Sequence, residues 1–166
     1  AVTFGKPFCP PVVEPTGNDE DVNDFISVEV NDTELCPRYT ARVVKNIKVG
    51  PSPEWMQRRL AAQGIRPINN IVDITNYVMM AYGQPMHCFD ADMVTGHHIV
   101  VKADNAGKEF VTLDGEKHIL GEHDLAICNE QEPMCIAGVF GGKGSGTYET
   151  TRDVVLESAC FHPTWI

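Results

Sequence analysis

The sequence lacks a long apolar run, a C-x-x-C pair and an overall excess of positive charge. No apolar run approaches the roughly 20 residues that cross a bilayer, and no signal-peptide pattern opens the chain. The six cysteines are scattered, which argues against a zinc site and against a secreted disulfide framework. We therefore expect a cytoplasmic protein with reduced thiols and no membrane contact. Because the chain opens with Ala1, we also expect a fragment of something larger.

The charge is unevenly distributed. The formal net charge of −10 at pH 7 argues against an extended phosphate-binding surface, because phosphate contacts need Lys and Arg. Residues 38–66 nevertheless carry seven basic residues against the single acid Glu54. Such a segment can touch a few phosphates but cannot hold a long duplex. If only the charge pattern is considered, a basic surface exposed to solvent explains it as well as a phosphate-binding role does.

Two helices are predicted in the first half of the chain. The first helix is expected between Ser52, a residue type common at helix N-caps, and Gly64, which can end a helix in the left-handed conformation. Its inward-facing residues are expected to be Trp55, Met56 and Leu60. A second helix is expected over residues 71–82, with an inward stripe of Ile71, Ile74, Val78 and Ala81 and an end at Gly83.

Short alternating or β-branched segments predict strands elsewhere. They are FISVEV, RYTARVVKNIKV, HIVVKA, EFVTL, KHIL, DLAIC, MCIAGVF and DVVLESAC. A Leu-Asp-Gly turn at 113–115 is expected to join two of them as a hairpin. The order of elements predicts a single α+β domain, with two helices packed on a mainly antiparallel, mixed central sheet.

Several catalytic motifs can be excluded. The stretch GVFGGKGSG fails the phosphate-loop template, because Gly144 follows Lys143 where Ser or Thr should stand. His87 and Cys88 are adjacent, so they are not face to face as a nucleophile and its base. No H-E-x-x-H motif or Ser-His-Asp order is present, and we expect no metal ligands.

The second helix is surrounded by polar residues, and one strand contains an unexplained carboxylate. Asn69, Asn70 and Asp73 can be explained individually as turn and cap residues. Glu157 has apolar neighbours, where an unpaired carboxylate is costly. A structural explanation is available for it too, a bond to a backbone amide or to Arg66. The combination is harder to explain structurally than any single position.

Four stretches of the sequence together resemble one known protein family. The stretch SPEWMQRRLAAQGIRPINNIVDITNYVMMAYGQPMHCFDAD, followed by TLDGEKHIL, CIAGVFGGKGSG and VVLESACFHPTWI, resembles the beta subunit of bacterial phenylalanyl-tRNA synthetase. The resemblance is to its editing domain, formed by the third and fourth modules. It covers about residues 36–166, and residues 1–35 are expected to lead in from the preceding module. Since the family continues past this point with a basic segment, the editing domain is expected to lack its C-terminal end.

The resemblance implies an activity and a set of site residues. The expected activity is hydrolysis of tyrosine wrongly attached to phenylalanine tRNA. Glu157 matches the acid that binds the tyrosine hydroxyl, and Ala137 and Gly138 match a wall of small residues. The positions expected to line the pocket and the scissile ester are Thr75, Asn76, Pro85 and His87. Thr75, Asn76 and His87 are expected to position water or the terminal ribose. Whether His87 is a general base or an orienting donor stays open, and a ribose hydroxyl of the tRNA is a possible assistant.

The resemblance also implies partners. The expected ones are the 3′ end of phenylalanine tRNA, the alpha subunit and the other beta-subunit modules of a heterotetramer. ATP and magnesium are expected only for the complete synthetase, and no cofactor for this domain. Two alternatives are a non-catalytic tRNA-binding or structural module of the same synthetase, and a free-standing protein that deacylates tRNA in trans.

Overall fold

Helix α2 spans Asn70–Tyr82, where the sequence predicts it, and both of its ends have local causes. The computed structural model describes residues 2–10, 12–14 and 16–164. At the start of α2 the side-chain oxygen of Asn69 accepts hydrogen bonds from two first-turn backbone amides, each at 3.0 Å. At its end Gly83 takes the left-handed conformation with φ 75°.

Helix α1 spans Glu54–Ala62, and its N-terminus differs from the expectation. Pro53, not Ser52, occupies the N-cap position and makes no side-chain cap. The Ser52 hydroxyl instead donates to the buried carboxylate of Asp73 on α2, so the tertiary contact replaces the local cap. Gly64 is left-handed with φ 79°, as predicted.

The buried face of α1 is narrower than predicted. Met56 and Leu60 are buried, but Trp55 is 51% exposed and the prediction for it was wrong. The Trp55 ring meets the Tyr77 ring of α2 edge-on at 5.4 Å, and the guanidinium of Arg59 lies over both rings. Lys and Arg side chains can cover an aromatic surface in this way. The Trp55 ring is therefore packed although it is not buried.

The inward stripe predicted for α2 was also wrong in part. Ile71 is buried, but Ile74 and Ala81 are exposed, whereas the polar residues Asp73 and Thr75 are buried. Helix α2 packs on α1 and on one sheet, so which of its sides is covered depends on these neighbours. An apolar spacing alone does not contain that information.

Ten strands form within the described residues. They are β1 (Ser27–Val30), β2 (Arg38–Val44), β3 (His87–Asp90), β4 (His98–Lys102), β5 (Glu109–Val111), β6 (Lys117–Ile119), β7 (Ala126–Cys128), β8 (Pro133–Ile136), β9 (Phe140–Gly141) and β10 (Val154–Cys160). Short 3₁₀ turns occupy Val2–Phe4, Val22–Asp24, Ala91–Met93 and Thr95–His97. Among the described residues, no helix is of a length and apolarity that would cross a membrane.

The strands confirm a mainly antiparallel α+β fold, but they do not form one sheet. A five-stranded sheet has the order β1-β4-β7-β8-β9, a three-stranded sheet has the order β2-β10-β3, and β5 pairs with β6 as the predicted hairpin. The β1–β4 pair is parallel and the other pairs are antiparallel. Sequence reasoning missed β3, because its four residues carry little strand propensity and their pairing partner lies far along the chain.

The main core lies between the two larger sheets. Ile99, Val101 and Ile127 of the five-stranded sheet pack with Phe89 and Val155 of the three-stranded sheet. Ile26 and Leu35, from the predicted lead-in segment, belong to the same core, and β1 extends the five-stranded sheet. The opposite face of the three-stranded sheet carries Cys88 and Val154 against Ile71 of α2.

Candidate functional site

A cavity opens at one end of the interface between the two sheets. Its volume is about 340 Å³, within the usual range of ligand pockets. Strands β3, β8, β9 and β10 and the turn between β8 and β9 contribute to it. The lining residues are Pro85, Met86, His87, Cys135, Gly138, Val139, Phe140, Gly141, Glu157, Ala159 and Phe161.

Two polar side chains, Glu157 and His87, face each other in this cavity. They are direct partners in the antiparallel pairing of β10 with β3. Direct partners point to the same face of a sheet, with Cβ atoms about 4.5–5.5 Å apart. The same alternation turns Phe89 and Val155 toward the core between the sheets. The carboxyl and the imidazole therefore lie on the apolar inner face, next to the core.

Glu157 is only 6% exposed, and burial raises the pKa of its carboxyl to about 7. The hydroxyl of Tyr39 on β2 donates to Glu157 Oε2 at 3.1 Å, which opposes part of that rise in pKa. The purely structural explanation paired Glu157 with a backbone amide or with Arg66. In the structure the partner of its carboxylate is Tyr39 instead. Burial and the charge of Glu157 raise the pKa of Tyr39, so its hydroxyl stays protonated and donates.

His87 is neutral at neutral pH, because burial lowers its pKa to about 4. Its ring stacks edge-on against Phe89, with 4.5 Å between ring centres. Among the side chains described, its Nε2 is the buried polar atom that lacks a hydrogen-bond partner. A buried polar atom without a partner is unusual in a folded protein.

The His87 ring has room only because residue 141 is glycine. A Cβ built on Gly141 would lie 2.8 Å from Cε1 of His87 and 3.0 Å from Cδ1 of Leu113. Both distances are shorter than ordinary carbon contacts, so any side chain here would displace the imidazole. Gly141 thus leaves the space that the His87 ring occupies.

The structure places the remaining predicted site residues differently. Pro85 and Gly138 line the cavity together with the facing pair. Ala137 is 2% exposed and packs in the core beside Gly138 rather than lining the space. Thr75 and Asn76 lie on α2 and do not line the cavity; the Thr75 hydroxyl donates at 2.8 Å to a carbonyl of its own helix. The roles predicted for these three residues stay predictions.

Comparison with known proteins identifies the family of this chain. A family model described as "B3/4 domain" matches residues 35–166. The chain belongs to the B3/4 domain family.

Its relatives bear the name that the sequence motifs indicate. The phenylalanine–tRNA ligase beta subunit of Bacteroides fragilis is 56% identical over 141 residues, covering 85% of this chain and 17% of the relative. That of Staphylococcus saprophyticus is 46% identical over 166 residues, covering 100% of this chain and 21% of the relative. The chain thus spans about a fifth of the length of these relatives. The resemblance to this beta subunit is confirmed.

A solved structure shares the fold of this B3/4 domain. It is an N-terminal fragment of the phenylalanyl-tRNA synthetase beta-subunit from Pyrococcus horikoshii, with a TM-score of 0.58 and 12% sequence identity. The match covers 95% of this chain and 48% of the other. At that identity the likeness concerns the fold alone.

Sequence reasoning missed several residues of the B3/4 cavity. Ala159 carried a signal, since it is two positions from Glu157 on one strand and must share its face. Gly141 and Phe161 carried none, and neither did Tyr39, which lies behind the cavity and contacts Glu157, because these positions depend on which strands pair and how the chain returns over the cavity. Glycine-rich segments are too common in turns for Gly141 to be singled out from the sequence.

The other polar residues near α2 hold the backbone in place, in agreement with their explanation as turn and cap residues. Asn70 accepts from the Gly50 amide and donates to the Lys48 carbonyl, each at 3.0 Å. Asp73 accepts from the Ile68 amide at 2.8 Å and from a serine hydroxyl. These bonds tie α2 to the segment before α1 and to the loop between the two helices. Among the described residues of this B3/4 domain, no group of three or more His, Cys, Asp or Glu side chains is placed to hold a metal ion.

Proposed function

We propose that this B3/4 domain is an editing hydrolase that removes tyrosine wrongly esterified to phenylalanine tRNA. The observation that carries the proposal is the facing pair of Glu157, which is buried, and His87, which is half-buried, in a cavity of about 340 Å³. The names of the relatives supply the context of phenylalanine attachment. The domain's chemistry is then that of a proofreading step in protein synthesis, which we place in the cytoplasm.

Tyrosine is the error that such an enzyme must correct. A hydrophobic site made for phenylalanine rejects a near-isostere with an added hydroxyl only about a hundredfold. A second site that hydrogen-bonds the hydroxyl discriminates in the other direction, by about ten-thousandfold or more. Glu157 supports this role because phenylalanine would leave its buried carboxylate without a partner in the cavity, which is costly.

The proposed reaction is ester hydrolysis. The oxygen of a water molecule adds to the ester carbonyl carbon, and the bond from that carbon to the tRNA 3′ oxygen breaks. Tyrosine leaves as the free acid, and the tRNA oxygen takes a proton. His87 supports the step because it lines the cavity and its Nε2 has no partner among the described residues, so we assign to Nε2 the hydrogen bond that holds the water when substrate is bound. With a pKa of about 4 its imidazole is a weak base, so orienting the water is the role we assign to it.

The wider assignments belong to the same proposal. The substrate's 3′-terminal ribose would lie at the cavity mouth, near Pro85 and Gly138. Thr75 and Asn76 would contribute only where the terminal nucleotides extend toward α2, and Ala137 by keeping the wall beside Gly138 small. We propose the alpha subunit and the remaining beta-subunit modules as partners that supply most of the tRNA affinity. The hydrolysis needs water and the ester, and we assign ATP and magnesium to aminoacylation by the complete enzyme.

The test is hydrolysis of preformed tyrosyl and phenylalanyl esters of phenylalanine tRNA by the ligase whose beta subunit carries this chain. Glu157→Ala and His87→Ala are compared with the exposed controls Glu122→Ala and His118→Ala. We expect tyrosine to be released faster than phenylalanine, the preference to disappear in Glu157→Ala, and both rates to fall in His87→Ala. If the wild-type enzyme spares the tyrosyl ester, the domain is a non-catalytic module and the proposal fails.

A further inference from the structure

We propose that Tyr39 is a positioning residue of this site: its hydroxyl holds one oxygen of the Glu157 carboxylate and leaves the other to bind the hydroxyl of the ligand. The inference rests on the proposed function and deepens it, because it assigns the specificity for tyrosine to a pair of residues rather than to Glu157 alone. Tyr39 does not itself line the cavity.

The strand register explains how Tyr39 reaches the carboxylate. Strand β10 is the central strand of its sheet, and Glu157 lies between Ala41 on β2 and His87 on β3. Tyr39 faces Ala159, so it is the diagonal neighbour of Glu157 on the same inner face. Diagonal neighbours are about 7–8 Å apart, a distance that an aromatic side chain spans. Tyr39 therefore approaches Glu157 from the β2 side, away from His87.

The two carboxylate oxygens are thereby distinguished. Oε2 of Glu157 accepts from the Tyr39 hydroxyl at 3.1 Å, and this is the carboxylate's hydrogen bond among the described residues. Among the described residues Oε1 accepts no hydrogen bond, and Glu157 lines the cavity, so Oε1 is the oxygen left for a ligand. A fixed acceptor aimed at the cavity discriminates better than a rotating one, because less rotational freedom is lost on binding.

No other described group around Glu157 competes with Tyr39 for this role. The groups that face it are His87 on β3, Cys135 on β8 and Cys36 just before β2. Burial raises the pKa of both thiols, that of Cys36 to about 11, and lowers the pKa of His87 to about 4. All three are therefore uncharged at neutral pH, and the phenol is the partner that stabilises the ionised carboxylate.

Removing the Tyr39 hydroxyl has two consequences. The Glu157 carboxylate loses the bond that sets its rotation, so tyrosine and phenylalanine become less well distinguished. The ionised form also loses its one donor, so the pKa of Glu157, already raised to about 7 by burial, rises further. The tyrosine preference belongs to the ionised acceptor, so it is present above this pKa and is lost as the pH falls through it.

The experiment compares Tyr39→Phe with Tyr148→Phe in the ligase whose beta subunit carries this chain. Both changes remove one phenolic hydroxyl and one hydrogen bond, since Tyr148 donates to the Lys143 carbonyl at 2.7 Å outside the cavity lining. The ratio of kcat/KM for the tyrosyl and phenylalanyl esters is measured from about pH 5 to about pH 9. We expect Tyr39→Phe to lower the ratio by about tenfold or more at neutral pH and to move its midpoint to higher pH. Tyr148→Phe should do neither.

A second measurement does not depend on turnover. Infrared spectra of the same ligase, with the spectrum of its Glu157→Gln variant subtracted, give the pKa of the Glu157 carboxyl directly, and Tyr39→Phe should raise it. The inference is overturned if Tyr39→Phe lowers both ester rates in equal proportion and leaves the pH midpoint of their ratio unchanged. It is also overturned if the pKa of Glu157 does not change. In both cases the editing proposal stands. If the wild-type enzyme lacks a tyrosine preference, the editing proposal fails, and the positioning role in specificity fails with it.

Discussion

Replacement of Glu157 by glutamine should change the pH dependence of folding stability in a way that tests the burial of this carboxylate. Glutamine has nearly the same shape and still accepts from the Tyr39 hydroxyl, but it carries no charge at any pH. The carboxyl pKa is raised from 4.5 to about 7 by burial. Each tenfold change in a proton equilibrium is worth about 1.4 kcal/mol, so ionising Glu157 costs the folded state about 3 kcal/mol.

The sign follows from linkage. A carboxyl whose pKa is raised on folding favours the fold fully at low pH, below its unfolded value of 4.5. That contribution is lost as the pH rises through the folded value of about 7. Glu157→Gln has no such loss. The free energy of unfolding of the variant minus that of wild type should therefore increase by about 3 kcal/mol between about pH 4 and about pH 8.

Urea unfolding of both proteins at a series of pH values measures this difference. Protonation of His87 at acid pH occurs in both proteins and subtracts out to first order. Glu122→Gln is the matched control, since its side chain is exposed and meets water in both states. A Glu157→Gln curve that runs parallel to wild type across the whole range would show that the carboxylate is hydrated in the folded protein and not buried.

Three further substitutions test the cavity and the N-terminus of α2. Gly141→Ala should displace His87 from a contact of 2.8 Å and reduce tyrosyl-ester release about tenfold or more, and an unchanged rate would contradict the role given to this glycine. Gly138→Ala should destabilise the fold by about 1–2 kcal/mol in urea unfolding because its φ is 71°, and a neutral result would argue against the left-handed turn. Asn69→Ala should cost about 1 kcal/mol through loss of the α2 cap, whereas Asn69→Ser should restore most of it in the same assay.

Features that depend on neighbours along the chain were predictable. Gly64 and Gly83 end the two helices because their left-handed conformations strain other residues. The hairpin of β5 with β6 follows from a short turn between two compatible strands. The family resemblance was carried by motifs and agrees with the relatives found. Fold class and family were thus available before any tertiary contact was known.

Features that depend on distant pairing were not predictable. Ser52 has the residue type of a cap, yet its hydroxyl binds Asp73, because a buried carboxylate attracts a donor more strongly than an exposed helix end does. The stripe predicted for α2 failed because the covered side depends on what lies against it. Strand β3 forms only through pairing with β10, since its own four residues have little preference for extended structure.

Local patterns in the sequence are enough to predict the two helices and the glycines that end them, most strands, the α+β class and the family. The tertiary structure alone decided that Glu157 meets His87 on one side and Tyr39 on the other. Local features result from backbone sterics and from hydrogen bonds within a few residues, and both can be judged from the sequence. The site results from strand register, and register joins residues that are far apart in sequence but share one buried face.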